Sequence, residues 1–241
     1  MSIFASPAAR RTASVALAAA TVLLAAACGN SDGKGDKPAA KDAAKASPSA
    51  AAGASGAGTP VTAAQLKAAL LTAQDVPAGW KADPDGGPVV GKTEKPECQK
   101  LLDLMQSEPA PMGAAARQTS NFEYGGQQVF GFDGDKAAGY LKDFDATLSR
   151  CASFSVALEG EKYAATVRPL PVDKAGDASY GYELLLDLGA GKMGFHNYVV
   201  RKGAALSTLS TKGKQAVGIP EADYKALTAT VAKKLDQAVK A

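Results

Sequence analysis

Past Cys151 the spacing of apolar residues changes from helical to alternating. Phe154, Val156 and Leu158 alternate with Ser153, Ser155 and Ala157, and beyond Glu159-Gly160-Glu161-Lys162 the same period resumes at Tyr163, Ala165 and Val167. Tyr180, Tyr182, Leu184, Leu186 and Leu188 form the clearest alternating run of the chain. A period of two puts every apolar side chain on one face of a pleated strand, so these segments read as half-buried strands. GFHNYVVR and AALSTLST flank Lys202-Gly203 as a further hairpin, and RQTSNFEY and QQVFGFD flank Gly125-Gly126, which reads as a hairpin turn.

Helical spacing frames the strands. Thr62-Ala63-Ala64-Gln65 has the spacing of a capping box and leads into Leu66, Ala69 and Leu70. Pro96 to about Gln106 reads as a second helix, with Cys98, Leu101, Leu102 and Met105 on one face. A third opens at Asp135 and runs to about Arg150, with Ala137, Leu141, Phe144 and Leu148 in register with Cys151. Pro220 starts the last helix, whose apolar stripe is Tyr224, Leu227, Val231, Leu235 and Val239. Helices, then meandering strands, then a closing helix lack the strict alternation of a parallel sheet. The fold class expected is α+β: an antiparallel sheet of about six or seven strands, with helices packed on one face and the other free to meet water.

The first 60 residues belong to a different kind of chain. Arg10 and Arg11 precede an apolar run from Thr12 to Ala27, the charged and hydrophobic parts of an export signal. The run is short and Ala-rich for a bilayer-spanning helix, which needs roughly 20 apolar residues. Leu23-Leu24-Ala25-Ala26-Ala27-Cys28 resembles the lipobox of bacterial lipoproteins. That resemblance implies cleavage before Cys28, a diacylglycerol thioether on its sulfur, and attachment to the outer face of the cell membrane. Each buried methylene contributes about 0.8 kcal/mol, so two or three acyl chains anchor stably without a spanning helix. Export by the general secretory route or by the twin-arginine route, through Arg10-Arg11, is left open.

Gly29 to Pro60 (GNSDGKGDKPAAKDAAKASPSAAAGASGAGTP) contains no large apolar residue. Such a segment cannot bury enough surface to offset its ordering entropy and reads as a flexible tether with a reach of about 30 Å. The expected organisation is a signal peptide over 1-27, lipidated Cys28 and linker over 28-60, and one extracytoplasmic domain over 61-241. The chain has 27 Lys and Arg against 24 Asp and Glu, a net charge of +3. Loss of Arg10 and Arg11 with the signal leaves 25 against 24, a net +1. So even a balance does not suit nucleic acid, whose binding depends on many cationic phosphate contacts.

Only Cys98 and Cys151 remain beside Cys28. In an oxidising compartment two cysteines allow one pairing, and both stand on core-facing helical positions, so a Cys98 to Cys151 disulfide is expected. Two cysteines and one histidine at unrelated spacing do not make a metal site. No cofactor is expected, because no phosphate-binding glycine fingerprint follows a strand. Catalytic residues are equally hard to find. His196, the sole histidine, lies inside a strand and reads as solvent-facing, with no free thiol to partner it. Asp83-Pro84-Asp85-Gly86 and Asp133-Gly134-Asp135 carry paired carboxylates, yet Asp, Pro and Gly together are the residues of turns. Trp80, the sole tryptophan, reads as an anchor for LLTAQDVPAGW.

Taken together, DVPAGW, then PEC, then Ala-x-x-Tyr-Leu, then a cysteine straight after that helix resemble lipoproteins of high-GC Gram-positive bacteria that carry a PknH-type extracellular sensor domain. The resemblance implies a twisted antiparallel sheet with helices, a cleft for a small-molecule, glycan or lipid ligand, and no enzymatic activity. It assigns no binding residues. The expected function is a membrane-anchored, non-enzymatic ligand-binding or sensor module. The alternatives are a structural or lipid-handling envelope protein and, further off, a carboxylate-dependent hydrolase.

Overall fold

The computed structural model describes residues 60–86, 91–105, 112–213 and 218–241. The expectations for the signal, for Cys28 and for the linker up to residue 59 lie outside the described residues. Four helices and eight strands follow in the order α1 (Ala63–Ala68), β1 (Lys92–Thr93), α2 (Gln99–Asp103), β2 (Ala116–Phe122), β3 (Gly125–Gly131), α3 (Lys136–Arg150), β4 (Ser153–Leu158), β5 (Glu161–Leu170), β6 (Ala178–Asp187), β7 (Lys192–Lys202), β8 (Ala205–Lys212) and α4 (Glu221–Lys240). A single turn of 3-10 helix, Pro96–Cys98, leads into α2. The α+β class holds. The strands make one antiparallel sheet in the order β1-β4-β5-β6-β7-β8-β3-β2.

Three details differ from the sequence reading, each for a physical reason. There are eight strands rather than six or seven, because β1 is two residues long and pairs only Lys92 and Thr93 with Ala157 and Val156. So short a strand has no period to detect. The β2–β3 turn is Glu123-Tyr124, since Phe122 already pairs with Gly125. Gly125 is instead a strand residue whose missing side chain lets β8 approach, because a Cβ there would lie 2.5 Å from the Ser210 carbonyl oxygen. Finally, the helices divide between both faces of the sheet. On the first face α2 and α3 cover Tyr182, Leu184, Leu186, Phe195 and Leu206. On the second, α1 and α4 cover Val129, Tyr198, Val200 and Leu209. That second cover is incomplete: Ser153, Ser155, Lys162, Ala164, Thr166 and Arg168 on β4 and β5 stay exposed.

The sheet holds each helix end by a side chain aimed at backbone groups the helix leaves unpaired. On the second face Gln127 accepts from the Leu71 amide and donates 3.0 Å to the Ala69 carbonyl, at the end of α1. On the first face Gln128 donates 3.1 Å to the Leu104 carbonyl beyond α2, which also accepts from Thr208 at 3.4 Å. Tyr182 donates 3.3 Å to the Leu101 carbonyl. Farther out, the start of α2 and the end of α3 are joined by a Cys98–Cys151 disulfide across 53 residues of sequence, both cysteines fully buried. Closing a loop of that length stabilises by about 4 kcal/mol on the chain-entropy account. The capping box of Thr62 and Gln65 is present at α1.

Gln127→Leu strands the Leu71 amide and the Ala69 carbonyl in the core, and an unmet buried backbone group costs about 1–3 kcal/mol. The urea midpoint of the variant falls accordingly, whereas Thr119→Val, exposed on β2, stays within about 0.5 kcal/mol of the parent; equal midpoints for both would remove Gln127 from its holding role.

Candidate functional site

Two adjacent rows of residues cross the middle of the sheet, and alternation sends them to opposite faces. The first row runs Tyr182, Asn197, Ser210, Gly126 and Asn121, paired in that order across β6, β7, β8, β3 and β2. It faces α2. Where the row reaches Gly126 there is no side chain, and a cleft of about 90 Å³ opens between Ser210, Gln128, Asn121 and Asp83 on the polar side and Met105 and Phe195 on the apolar side. Asp83 is brought to the rim by its turn, closed by Gly86 donating 3.0 Å to the Asp83 carbonyl. Behind Ser210, the Asn197 side chain donates 3.2 Å to the Phe195 carbonyl, while its buried Oδ1 has no hydrogen-bond partner among the described residues. The cleft lining therefore offers both donors and acceptors, from Ser210, Asn121, Asp83 and Lys212, beside its apolar wall.

The second row runs Arg168, Glu183, His196 and Thr211, paired across β5, β6, β7 and β8. It faces α4. Glu183 is only 1% exposed, and its carboxylate accepts from Arg168 Nε on one oxygen. His196 Nε2 lies 3.6 Å from the other oxygen. His196 is thus no solvent-facing residue: its side chain is 17% exposed, it stands edge-on to Tyr224 at 5.4 Å, and Gly218 lies against its ring. A Cβ at Gly218 would be 2.1 Å from two ring atoms, and φ there is +42°. Thr211 Oγ1 donates 3.3 Å to the His196 carbonyl, so its hydroxyl is not aimed at the ring.

The remaining sequence-flagged residues have structural places. Trp80 is half-buried and meets Tyr124 edge-on at 5.8 Å. The Asp133-Gly134-Asp135 stretch is a turn before α3. Asp103 in α2, by contrast, was not singled out in the sequence. Burial pushes its carboxyl above the ordinary aspartate range, with a hydrogen bond from Gln99 opposing. Burial, then the charge of Asp103, also raises the Tyr140 phenol, whose hydroxyl has no partner among the described residues. Burial likewise raises the Tyr198 phenol to about 12. Among the described residues no three His, Cys, Asp or Glu side chains gather to hold a metal ion. Nor is any helix there long and apolar enough to cross a membrane.

Glu183 left a faint signal in the sequence: one acid inside the alternating run, beside a strand, β7, that also buries its second face. That signal was unreadable while the second face was assumed to meet water. Asn197 and Gly126 left none, because only the register makes them neighbours.

No family model matches the chain, and no curated protein does. Among solved structures, the extracellular domain of PknH from Mycobacterium tuberculosis has the same fold, with a TM-score of 0.58 at 18% identity. The match covers 74% of this chain and 98% of that one.

Two substitutions probe the rows. Gly218→Ala drives a methyl group into the His196 ring at a left-handed backbone position, and overpacking of that kind costs about 1–3 kcal/mol; a thermal midpoint equal to the parent would contradict the contact. Asp103→Asn tests the buried carboxyl. A group whose folded pKa is raised loses stability as pH climbs from its unfolded value through its folded one. The variant therefore gains stability over the parent at pH 7 and matches it near pH 3, where both side chains are about neutral.

Proposed function

We propose that the chain is an exported lipoprotein, anchored to the outer face of the cell membrane through acylated Cys28, whose domain is a non-enzymatic ligand-binding or sensor module. The cleft over Gly126 carries this reading. It combines a strand floor, polar groups from Ser210, Asn121, Asp83 and Lys212, and an apolar wall of Met105 and Phe195, the features of a site for a small polar ligand. The Cys98–Cys151 bond in the core suits an oxidising compartment. A fold shared with an extracellular domain points the same way.

The cleft favours a small molecule or a sugar over a lipid chain, because its volume is small. That weighs against the lipid-handling alternative. The hydrolase alternative needs two carboxylates in one pocket, and among the described residues the two buried ones, Asp103 and Glu183, lie on opposite faces of the sheet.

The anchor and the cleft are tested separately. Intact mass of the membrane-extracted chain carries added acyl groups on Cys28, and Cys28→Ser moves the protein to the soluble fraction; a chain without fatty acid ends the anchored reading. For the cleft, the protein is incubated with a water-soluble cell-envelope extract and sprayed under native conditions. A retained ligand mass that Ser210→Phe abolishes is expected. Retention of the same mass by that variant would place binding elsewhere.

A further inference from the structure

A carboxylate taken out of water is costly unless it is well partnered. Glu183 is as deeply buried as the leucines beside it, yet it stands where the covered half of the second face meets the open half. Its partners differ in a telling way. His196 closes the inner side under Gly218 and Tyr224. Arg168 closes the outer side, and its side chain is 66% exposed.

Arg168 meets Glu183 through Nε alone. Its two Nη groups make no hydrogen bond or ion pair among the described residues. An arginine bound to one carboxylate through the inner nitrogen keeps the outer pair free as a planar, two-pronged donor. Arg168 shares this exposed half-face with Thr166, two residues along β5, and with Ser153 and Ser155 of β4. The acid farther along this half-face, Asp187 at the end of β6, is engaged by the Gly189 amide at 3.0 Å. Lys162, at the far end of β5, is paired with Glu94. Among the described residues of β4 and β5 on this half-face, Arg168 is a cation fixed through Nε that keeps both Nη groups for a ligand.

We propose that Arg168, held in place by buried Glu183, binds an oxyanion, a phosphate or carboxylate group, on the open half of the second sheet face. Glu183 is a positioning residue: it makes no contact with the anion and fixes the plane of the guanidinium. A side chain already immobilised loses less conformational entropy on binding than a free surface arginine does. The inference is independent of the cleft and of the lipid anchor, since it uses the other face and other residues.

The test uses the full chain labelled with nitrogen-15, observing the Arg168 Nε–H resonance. Inorganic phosphate and acetate are titrated separately, and vesicles of phosphatidylglycerol are compared with vesicles of phosphatidylcholine. A saturable shift with phosphate or with acetate supports the site and identifies the preferred group. A shift with phosphatidylglycerol vesicles, absent with phosphatidylcholine and weak with free phosphate, supports it with a lipid headgroup as the source. Arg168→Lys keeps the charge and loses the fork, so its affinity falls by about tenfold, the scale on which orientation of a binding group acts. Glu183→Gln frees the guanidinium and weakens binding by a similar factor, with the Arg168 Nε–H resonance narrowing as its side chain becomes mobile; should that variant misfold, Arg168→Lys on the exposed surface still decides. No saturable shift with any probe, or equal affinity in Arg168→Lys, overturns the proposal.

Discussion

Two neighbouring glutamines on β3 set the terms on which this sheet is covered. Gln127 and Gln128 face opposite ways because consecutive strand residues must. Each meets backbone groups at the end of a short helix, Gln127 beyond α1 and Gln128 beyond α2. Helices of six and five residues have little stability of their own, since nucleation is unfavourable and few internal hydrogen bonds repay it. They persist because the sheet supplies partners for their ends and an apolar bed for Leu66, Leu101 and Leu102. The disulfide then ties α2 to α3, the long helix of that face. On the other face α4 needs no such tie, because its stripe of Tyr224, Leu227, Val231 and Leu235 runs the length of the strands below.

What could be read from the sequence follows from this division. Elements that stabilise themselves carry a period, so α3, α4 and the strands from β4 to β8 were legible almost to the residue. Elements stabilised by others carry none. β1 is two residues borrowed by the edge of β4, and α2 ends sooner than its apolar spacing suggests, within the reach of Gln128 and Thr208. The Gly125-Gly126 pair has the chemistry of a turn, and it was read as one. Its true role depends on β8, a strand 80 residues away, which no local pattern reveals. Single-face burial failed for a similar reason: Tyr198, Val200 and Leu209 interleave with the opposite apolar set, and such double alternation looks like a continuous run rather than a period.

The two buried acids illustrate how context sorts identical chemistry. Asp103 has one neutral donor, Gln99, and burial dominates, so its carboxyl titrates above the ordinary range. Glu183 is the more deeply buried of the two, yet it is given an arginine and a histidine. A lone buried carboxyl can escape its desolvation by holding a proton, whereas Glu183 has the Arg168 guanidinium beside one oxygen and the His196 ring beside the other. The first belongs to the packing of α2 on α3. The second belongs to a boundary, where half of its compensation sits in solvent.

The rows that hold the cleft and the acid are neighbours along the same strands. On β7, Phe195 lines the cleft while the next residue, His196, looks toward Glu183; on β8, the Ser210 and Thr211 side chains likewise go to opposite faces. Filling the cleft presses on Phe195 and Ser210, and each is joined to the opposite row by a single peptide unit. Strands in the middle of a close-packed sheet resist bending, so they pass a displacement on instead of absorbing it. The cleft over β7, β8 and β3 and the Arg168 guanidinium on β5 are nevertheless separated across the sheet, and between them stands His196, packed beneath Gly218 and beside Glu183.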